Sequence, residues 1–129
     1  MKKENNITFG KQGESIAESF LKKNGYKIIT TNFRTKIGEI DIIAKDKDYL
    51  CFIEVKTRKS FRFGDPAEAI DKKKMHKISQ IAQLYLKKNK IYGCLCRFDV
   101  VTAVVSGNCP VHLKLYKNAF RIDTAYEQN

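Results

Sequence analysis

Asp41, Glu54 and Lys56 are the residues of this chain whose types and spacing suit bond-breaking chemistry. They fall in GEIDIIAKDKDYLCFIEVKTR, Gly38 to Arg58, where two strand-like runs flank a charged spacer. If Lys47-Asp48 is a two-residue loop, Asp46 faces Tyr49, Asp41 faces Glu54 and Glu39 faces Lys56. Strand side chains alternate, so Glu39, Asp41, Glu54 and Lys56 then share one face. Ile40, Ile42, Ala44, Cys51, Ile53 and Val55 form the other, an apolar face able to pack on a helix. A four-residue loop keeps these faces, whereas a three-residue loop without a bulge divides the acids. The spacer lacks the glycine usual in a tight hairpin, so the residues alone leave the register open.

Opposed carboxylates destabilise a strand pair unless something neutralises them. A hard divalent cation would do so, because Mg²⁺ takes carboxylate oxygens together with water and substrate phosphate. The main-chain carbonyl of Val55, between Glu54 and Lys56, could add an oxygen. Lys56 could orient or deprotonate an attacking water, or neutralise charge on a phosphate. This set suits metal-dependent phosphodiester hydrolysis. The competing reading is a salt-bridged sheet face, with Lys56 and Arg34 neutralising the acids.

The elements that must position these residues follow from periodicity. A helix is expected from about Phe9 to Lys23, stopped by Asn24-Gly25. Its apolar face is Ile16, Ala17, Phe20 and Leu21, with Gly10 and Gly13 allowing close approach to a sheet and Glu14 at the edge of the face. Strands are expected at Tyr26–Thr31, Ile37–Ala44 and Tyr49–Thr57, with Asn32 to Thr35 as a link. Asp65-Pro66-Ala67-Glu68 reads as a helix start and Asp71 as a second cap. Met75, Ile78, Ile81, Ala82 and Tyr85 make a helical stripe ending near Lys88-Asn89. Strands at Cys94–Val105 and Val111–Lys117, joined by a turn at Ser106–Pro110, complete the order α-β-β-β-α-β-β. The fold class is α/β, a mixed central sheet flanked by helices. One domain is expected over residues 8–122, between flexible termini at 1–7 and 123–129.

Bulk composition narrows the function classes. The 129 residues suffice for a core without staples. No apolar run is long enough to span a membrane, and the start lacks the apolar stretch of a signal peptide, so a cytoplasmic protein without a membrane partner is expected. Cys51, Cys94, Cys96 and Cys109 form no C-x-x-C pair, and His76 and His112 lie at no zinc-like spacing, which predicts buried thiols. The formal charge of +11 argues for a polyanionic partner, nucleic acid first. Arg58, Lys59 and Arg62 follow the third strand, and Lys72, Lys73, Lys74 and Lys77 open the long helix. Placed beside the acidic face, these would bind phosphates, with Arg34 either joining them or bracing the acids. Phe61 and Phe63 lie among them as candidates for base stacking or for packing.

Asp41, twelve residues, then Glu54-Val55-Lys56 is a D…ExK pattern that resembles the PD-(D/E)xK restriction-endonuclease-like superfamily. Ile40 stands where that pattern has proline. The blocks Gly10-Lys11-Gln12-Gly13-Glu14, Asn32-Phe33-Arg34, Gly38-Glu39-Ile40-Asp41, Phe52 to Arg58, Arg97-Phe98-Asp99-Val100-Val101 and Asn118-Ala119-Phe120 resemble the bacterial YraN-like family. That family is grouped with endonucleases by similarity to archaeal Holliday-junction resolvases. The resemblance implies a restriction-endonuclease-like fold and a Mg²⁺-dependent endodeoxyribonuclease, with Mn²⁺ as substitute ion, acting on DNA of branched or junction form. It implies Glu14, Asp41, Glu54 and Lys56 as the catalytic set. Asp41, Glu54 and the Val55 carbonyl would be metal ligands, with Glu14 acting directly or through water. A homodimer is implied as well. Glu39 is a weaker candidate that could instead pair with Lys56 or Arg34. The alternative reading is a nucleic-acid-binding module on a nuclease fold, with little or no catalysis.

Overall fold

A computed structural model describes residues 2–60, 71–107 and 109–120, with side chains from residue 10 onward and without that of residue 111. The elements are α1 (Lys2–Lys23), β1 (Lys27–Thr35), β2 (Gly38–Asp46), β3 (Tyr49–Arg58), α2 (Lys72–Lys88), β4 (Leu95–Ser106) and β5 (Cys109–Phe120). Their order is the expected α-β-β-β-α-β-β. They form one five-stranded mixed sheet in the order β1-β2-β3-β4-β5, antiparallel except for the parallel β3–β4 pair that α2 connects.

Helix ends follow local chemistry. Gly25, at φ 89°, ends α1, with its N–H donating to Lys22 O and that of Tyr26 to Leu21 O. The Asp71 carboxylate accepts from Lys74 N at 2.8 Å and caps α2. Two boundaries depart furthest from expectation. Helix α1 begins at Lys2, well before Phe9. Strand β1 runs through the expected link to Thr35, because Phe33, Arg34 and Thr35 pair with Ile40, Glu39 and Gly38. The helix start at Asp65–Glu68 and the tail from residue 121 lie outside the described residues.

The sheet is packed on both faces. Under α1, Ala17 and Leu21 meet Tyr26, Ile42, Ala44, Cys51, Ile53 and Val101. Under α2, Ile78, Ile81, Ala82 and Tyr85 meet Ile40, Ile43, Leu50, Phe52, Phe98 and Phe120. Edge-on contacts of Phe33 and Phe52 with Tyr85, and stacking of Phe98 on Phe52 and Phe120, continue through this second core. The parallel pair is therefore buried on both sides, which accounts for the near-continuous apolar run in β4.

Of the two glycines expected to admit the sheet, one does so. A Cβ at Gly13 would collide with the Thr57 side chain, whereas Gly10 faces open space. Gly13→Ala is thus expected to cost about 1–3 kcal/mol through overpacking. Gly10→Ala should cost nothing of that kind, and urea denaturation of the two variants checks the contrast.

The α1 face also carries a buried polar network. Asp99, with no exposed surface, accepts from Tyr26 Oη at 2.7 Å, from Arg97 Nε and Nη2 at 2.9 Å each, and from Asn118 N at 2.8 Å. Arg97 also reaches Asp46 at 2.7 Å, and Lys117 joins Asp46 at 3.1 Å. The β4–β5 register shifts opposite Asp99, between Phe98 and Val100, and Asn118 takes φ 53° there. The Asp99 carboxylate satisfies the N–H freed by that bulge. The cysteines divide: Cys51 is buried and its thiol is pushed up to about 12, chiefly by burial, but Cys109 is exposed, contrary to the expectation of four buried thiols.

Candidate active site

The β2–β3 hairpin has the two-residue loop. Asp46 pairs with Tyr49 and Ile42 with Ile53, while Lys47 adopts φ 54° in place of the usual glycine. This ladder ends at Ile42–Ile53. Beyond it the start of β2 pairs only with β1, and the end of β3 only with β4. At the parting point Asp41 Oδ2 accepts the Val55 N–H at 2.8 Å, a side chain standing in for the next ladder carbonyl. The strands therefore fork at Asp41 and Glu54, and the expected cross-strand contact of Glu39 with Lys56 is not made.

The fork also interrupts the alternation of β2. Ile40 packs under α2 with Ile43 and Phe52, whereas Ile42 and Ala44 pack under α1. The expectation that Ile40, Ile42 and Ala44 share one face is corrected accordingly. The facing stretch of β1 carries the physical reason: Asn32 sits at φ 53°, between Thr31, which pairs with Ile42, and Phe33, which pairs with Ile40. The β1 backbone thus leaves the extended conformation at the level where β2 changes face.

The fork opens a cleft of about 350 Å³ between β2, β3 and the first turns of α2. Glu39, Asp41 and Glu54 line it together with Asp71, Lys73, Lys74 and Lys77. Helix α1 brings Glu14 to the same place: ligand oxygens of Glu14, Glu39 and Asp41 lie within 4.8 Å of one another. Glu39, expected only as a weaker candidate, is a full member of this group. Its pairing partner is Arg34, whose Nε lies 3.0 Å from Glu39 Oε2. Arg34 thus contacts an acid of this group, while most of its side chain stays exposed.

Glu54 lines the cleft from the opposite strand, facing the lysines. Its Oε1 lies 2.9 Å from Lys74 Nζ and 3.7 Å from Lys56 Nζ. Lys73 and Lys77 line the cleft too, while Lys72 and Lys59 are exposed beside it in sequence and Arg58 is half-buried at the end of β3. Arg62, Phe61 and Phe63 lie outside the described residues.

The electrostatics of the cleft are strained. Burial, then the Glu54 charge, pushes Asp41 up to about 7 against the Val55 hydrogen bond that lowers it. Burial also raises Glu14, in part offset by a hydrogen bond from the Asn32 side chain and aggravated by Glu39. Burial and the neighbouring Lys74 lower Lys56, outweighing the attraction of Glu54. Burial would lower Lys74 as well, but its hydrogen bond and ion pair with Glu54 prevail and raise it. Converging carboxyl groups that resist joint ionisation fit a hard cation, and their oxygen-only donor set fits Mg²⁺ or Mn²⁺ better than a softer metal.

Residues 13–103 match the model of the uncharacterised protein family UPF0102, a span that contains Glu14, the fork and α2. The chain belongs to UPF0102, the YraN-like family. A UPF0102 protein of Clostridium botulinum (strain 657 / Type Ba4) is 48% identical over 119 residues, covering 91% of this chain and 97% of its own length. Another, from Acetivibrio thermocellus (strain ATCC 27405), is 45% identical over 123 residues, covering 92% and 95%. The similarity to UPF0102 relatives therefore takes in the fold and the cleft together. Among the described residues no helix is long and apolar enough to cross a membrane.

Proposed function

We propose that this UPF0102 chain is a metal-dependent endonuclease that hydrolyses phosphodiester bonds in DNA, with branched or junction DNA as the favoured form. The observation that supports it is the fork. It sets Glu39 and Asp41, with Glu14 beside them, on one side of an open cleft and Glu54 and Lys74, with Lys56 beside Glu54, on the other. Asp41 and Glu54 would hold Mg²⁺ or Mn²⁺ with the Val55 carbonyl, and Glu14 would act directly or through water. Glu39 adds a carboxylate beside them. When bound, the ion supplies Lewis-acid polarisation of the phosphodiester. Lys56, whose proton is loosened by burial, orients the attacking water or offsets charge on the reacting phosphate. Lys73 and Lys77 would hold flanking phosphates, extended by Arg58, Lys59 and Arg62. A cytoplasmic homodimer acting on nucleic acid is the form proposed.

Cleavage of labelled four-way junction, flap, single-strand and duplex DNA, with Mg²⁺, Mn²⁺ or EDTA, tests this reading. Metal-dependent cutting is expected, and Lys56→Ala should reduce it about a hundredfold, within the range general acid–base groups contribute, while DNA binding is retained. The Lys74–Glu54 ion pair, which engages a proposed metal ligand, favours a second reading of a binding module without catalysis. Salt-dependent binding with no cutting under any metal would decide for that reading.

A further inference from the structure

Glu39, Asp41 and Glu54 all line the cleft, yet they are not held alike. Asp41 is held by a backbone N–H, and Glu39 by an exposed arginine. Glu54, only 8% exposed, is held by the ammonium of Lys74 at 2.9 Å, with Lys56 further off at 3.7 Å. Lys74 lies in the first turn of α2, fixed there by the Asp71 cap, and its side chain is 42% exposed on the open side of the cleft. One face of its ammonium therefore meets Glu54 and another meets the space a substrate would enter. A buried carboxylate needs a positive partner, and a divalent ion at Glu54 would stand close to an ammonium already there. Like charges at such range repel strongly, so ion and ammonium compete for one carboxylate.

Resting on the proposed metal centre, we propose that Lys74 is an exchange residue at Glu54. It neutralises Glu54 while the cleft is empty, and it is displaced toward substrate phosphate when Glu54 takes up the divalent ion. Lys74 is thus a positioning residue that couples metal uptake to phosphate binding. Lys72, in the same helical turn but exposed and away from the cleft lining, provides the control for charge alone.

The test is calorimetric titration of Mn²⁺ into the full chain without DNA, comparing native protein with Lys74→Gln, Lys74→Arg and Lys72→Gln, each checked for folding by thermal melting. Lys74→Gln is expected to bind Mn²⁺ about tenfold more tightly than native, a screened share of the unit-charge repulsion at this distance. Lys74→Arg should stay near native, and Lys72→Gln should change less than twofold. A crystal structure with Mn²⁺ should show Lys74 Nζ beyond ion-pair range of Glu54. Equal shifts in Lys74→Gln and Lys72→Gln, weaker binding in Lys74→Gln, or an intact Lys74–Glu54 pair beside bound Mn²⁺ would each overturn the exchange while leaving the metal centre standing. No saturable Mn²⁺ binding by any of the four proteins would overturn the metal centre itself and the exchange with it.

Discussion

Asp41→Asn is expected to abolish metal-dependent cleavage and yet make the metal-free protein more stable above about pH 7. The two effects have one cause. Burial and the Glu54 charge raise Asp41 from 3.8 to about 7, so the folded state holds a proton there more tightly than the unfolded chain does. For a raised carboxyl, the stabilising contribution is present below the unfolded value and is lost as pH rises through the folded one. Between pH 3.8 and about 7 the metal-free protein therefore loses stability at this position, and above that range the penalty is complete. Asparagine keeps an oxygen for the Val55 N–H and removes the charge. The stability difference between variant and native protein should grow across that window, to about 1–3 kcal/mol, the common range for a single substitution acting through a buried charge. Saturating Mg²⁺ should reverse the order, because the ion stabilises only the protein that binds it. Cleavage should fall about a thousandfold or more, since the ion's share of transition-state stabilisation is several kcal/mol. Melting from pH 4 to 8, with EDTA and with Mg²⁺, checks the crossover. A variant no more stable than native at pH 8 in EDTA would mean that Asp41 carries no penalty awaiting a cation.

Much of this was legible in the sequence because it depends on short spacings. Period-two alternation and the even Lys47-Asp48 spacer placed Asp41 and Glu54 at the same level of neighbouring strands, and the ladder from Asp46–Tyr49 to Ile42–Ile53 agrees. Glycine and aspartate at the helix ends marked Gly25 and Asp71 for the same local reason. The fork was not legible. It depends on where a side chain replaces a ladder carbonyl and on a left-handed Asn32, and neither changes the hydrophobic pattern. Glu39 was consequently matched to Lys56 across a ladder that had already ended. The Lys74–Glu54 pair depends on where α2 lands over the sheet, a matter of tertiary packing that a run of lysines does not encode. Arg97 and Asp99 stood out only as part of a family-like block, without a role, because their partners come from Tyr26 just before β1, from β2 and from a bulge in β5.

That network carries the largest expected loss of stability, and it separates family-pattern residues that build the protein from those placed to act. Asp99→Ala should cost about 3–5 kcal/mol, the usual result of leaving buried charged and polar groups without their partner. Tyr26 Oη and the Asn118 N–H would lose their acceptor, and Arg97, 12% exposed, would keep Asp46 and Tyr26 Oη but lose two of its hydrogen bonds. Against a typical total of about 5–15 kcal/mol this loss would bring the chain near its unfolding threshold. The shift should appear as a lower urea midpoint at nearly unchanged slope. The sheet lies between Asp99, on the α1 side, and the lysines of the cleft, on the α2 side. Mn²⁺ affinity per folded molecule should therefore stay near native in Asp99→Ala at temperatures where it remains folded, while Asp41→Asn loses affinity without losing stability. A cost below about 1 kcal/mol, the level of an exposed ion pair, would show that Asp99 does not anchor the β5 bulge. Lost Mn²⁺ binding in a folded Asp99→Ala protein would show instead that the two faces of the sheet are coupled through β4.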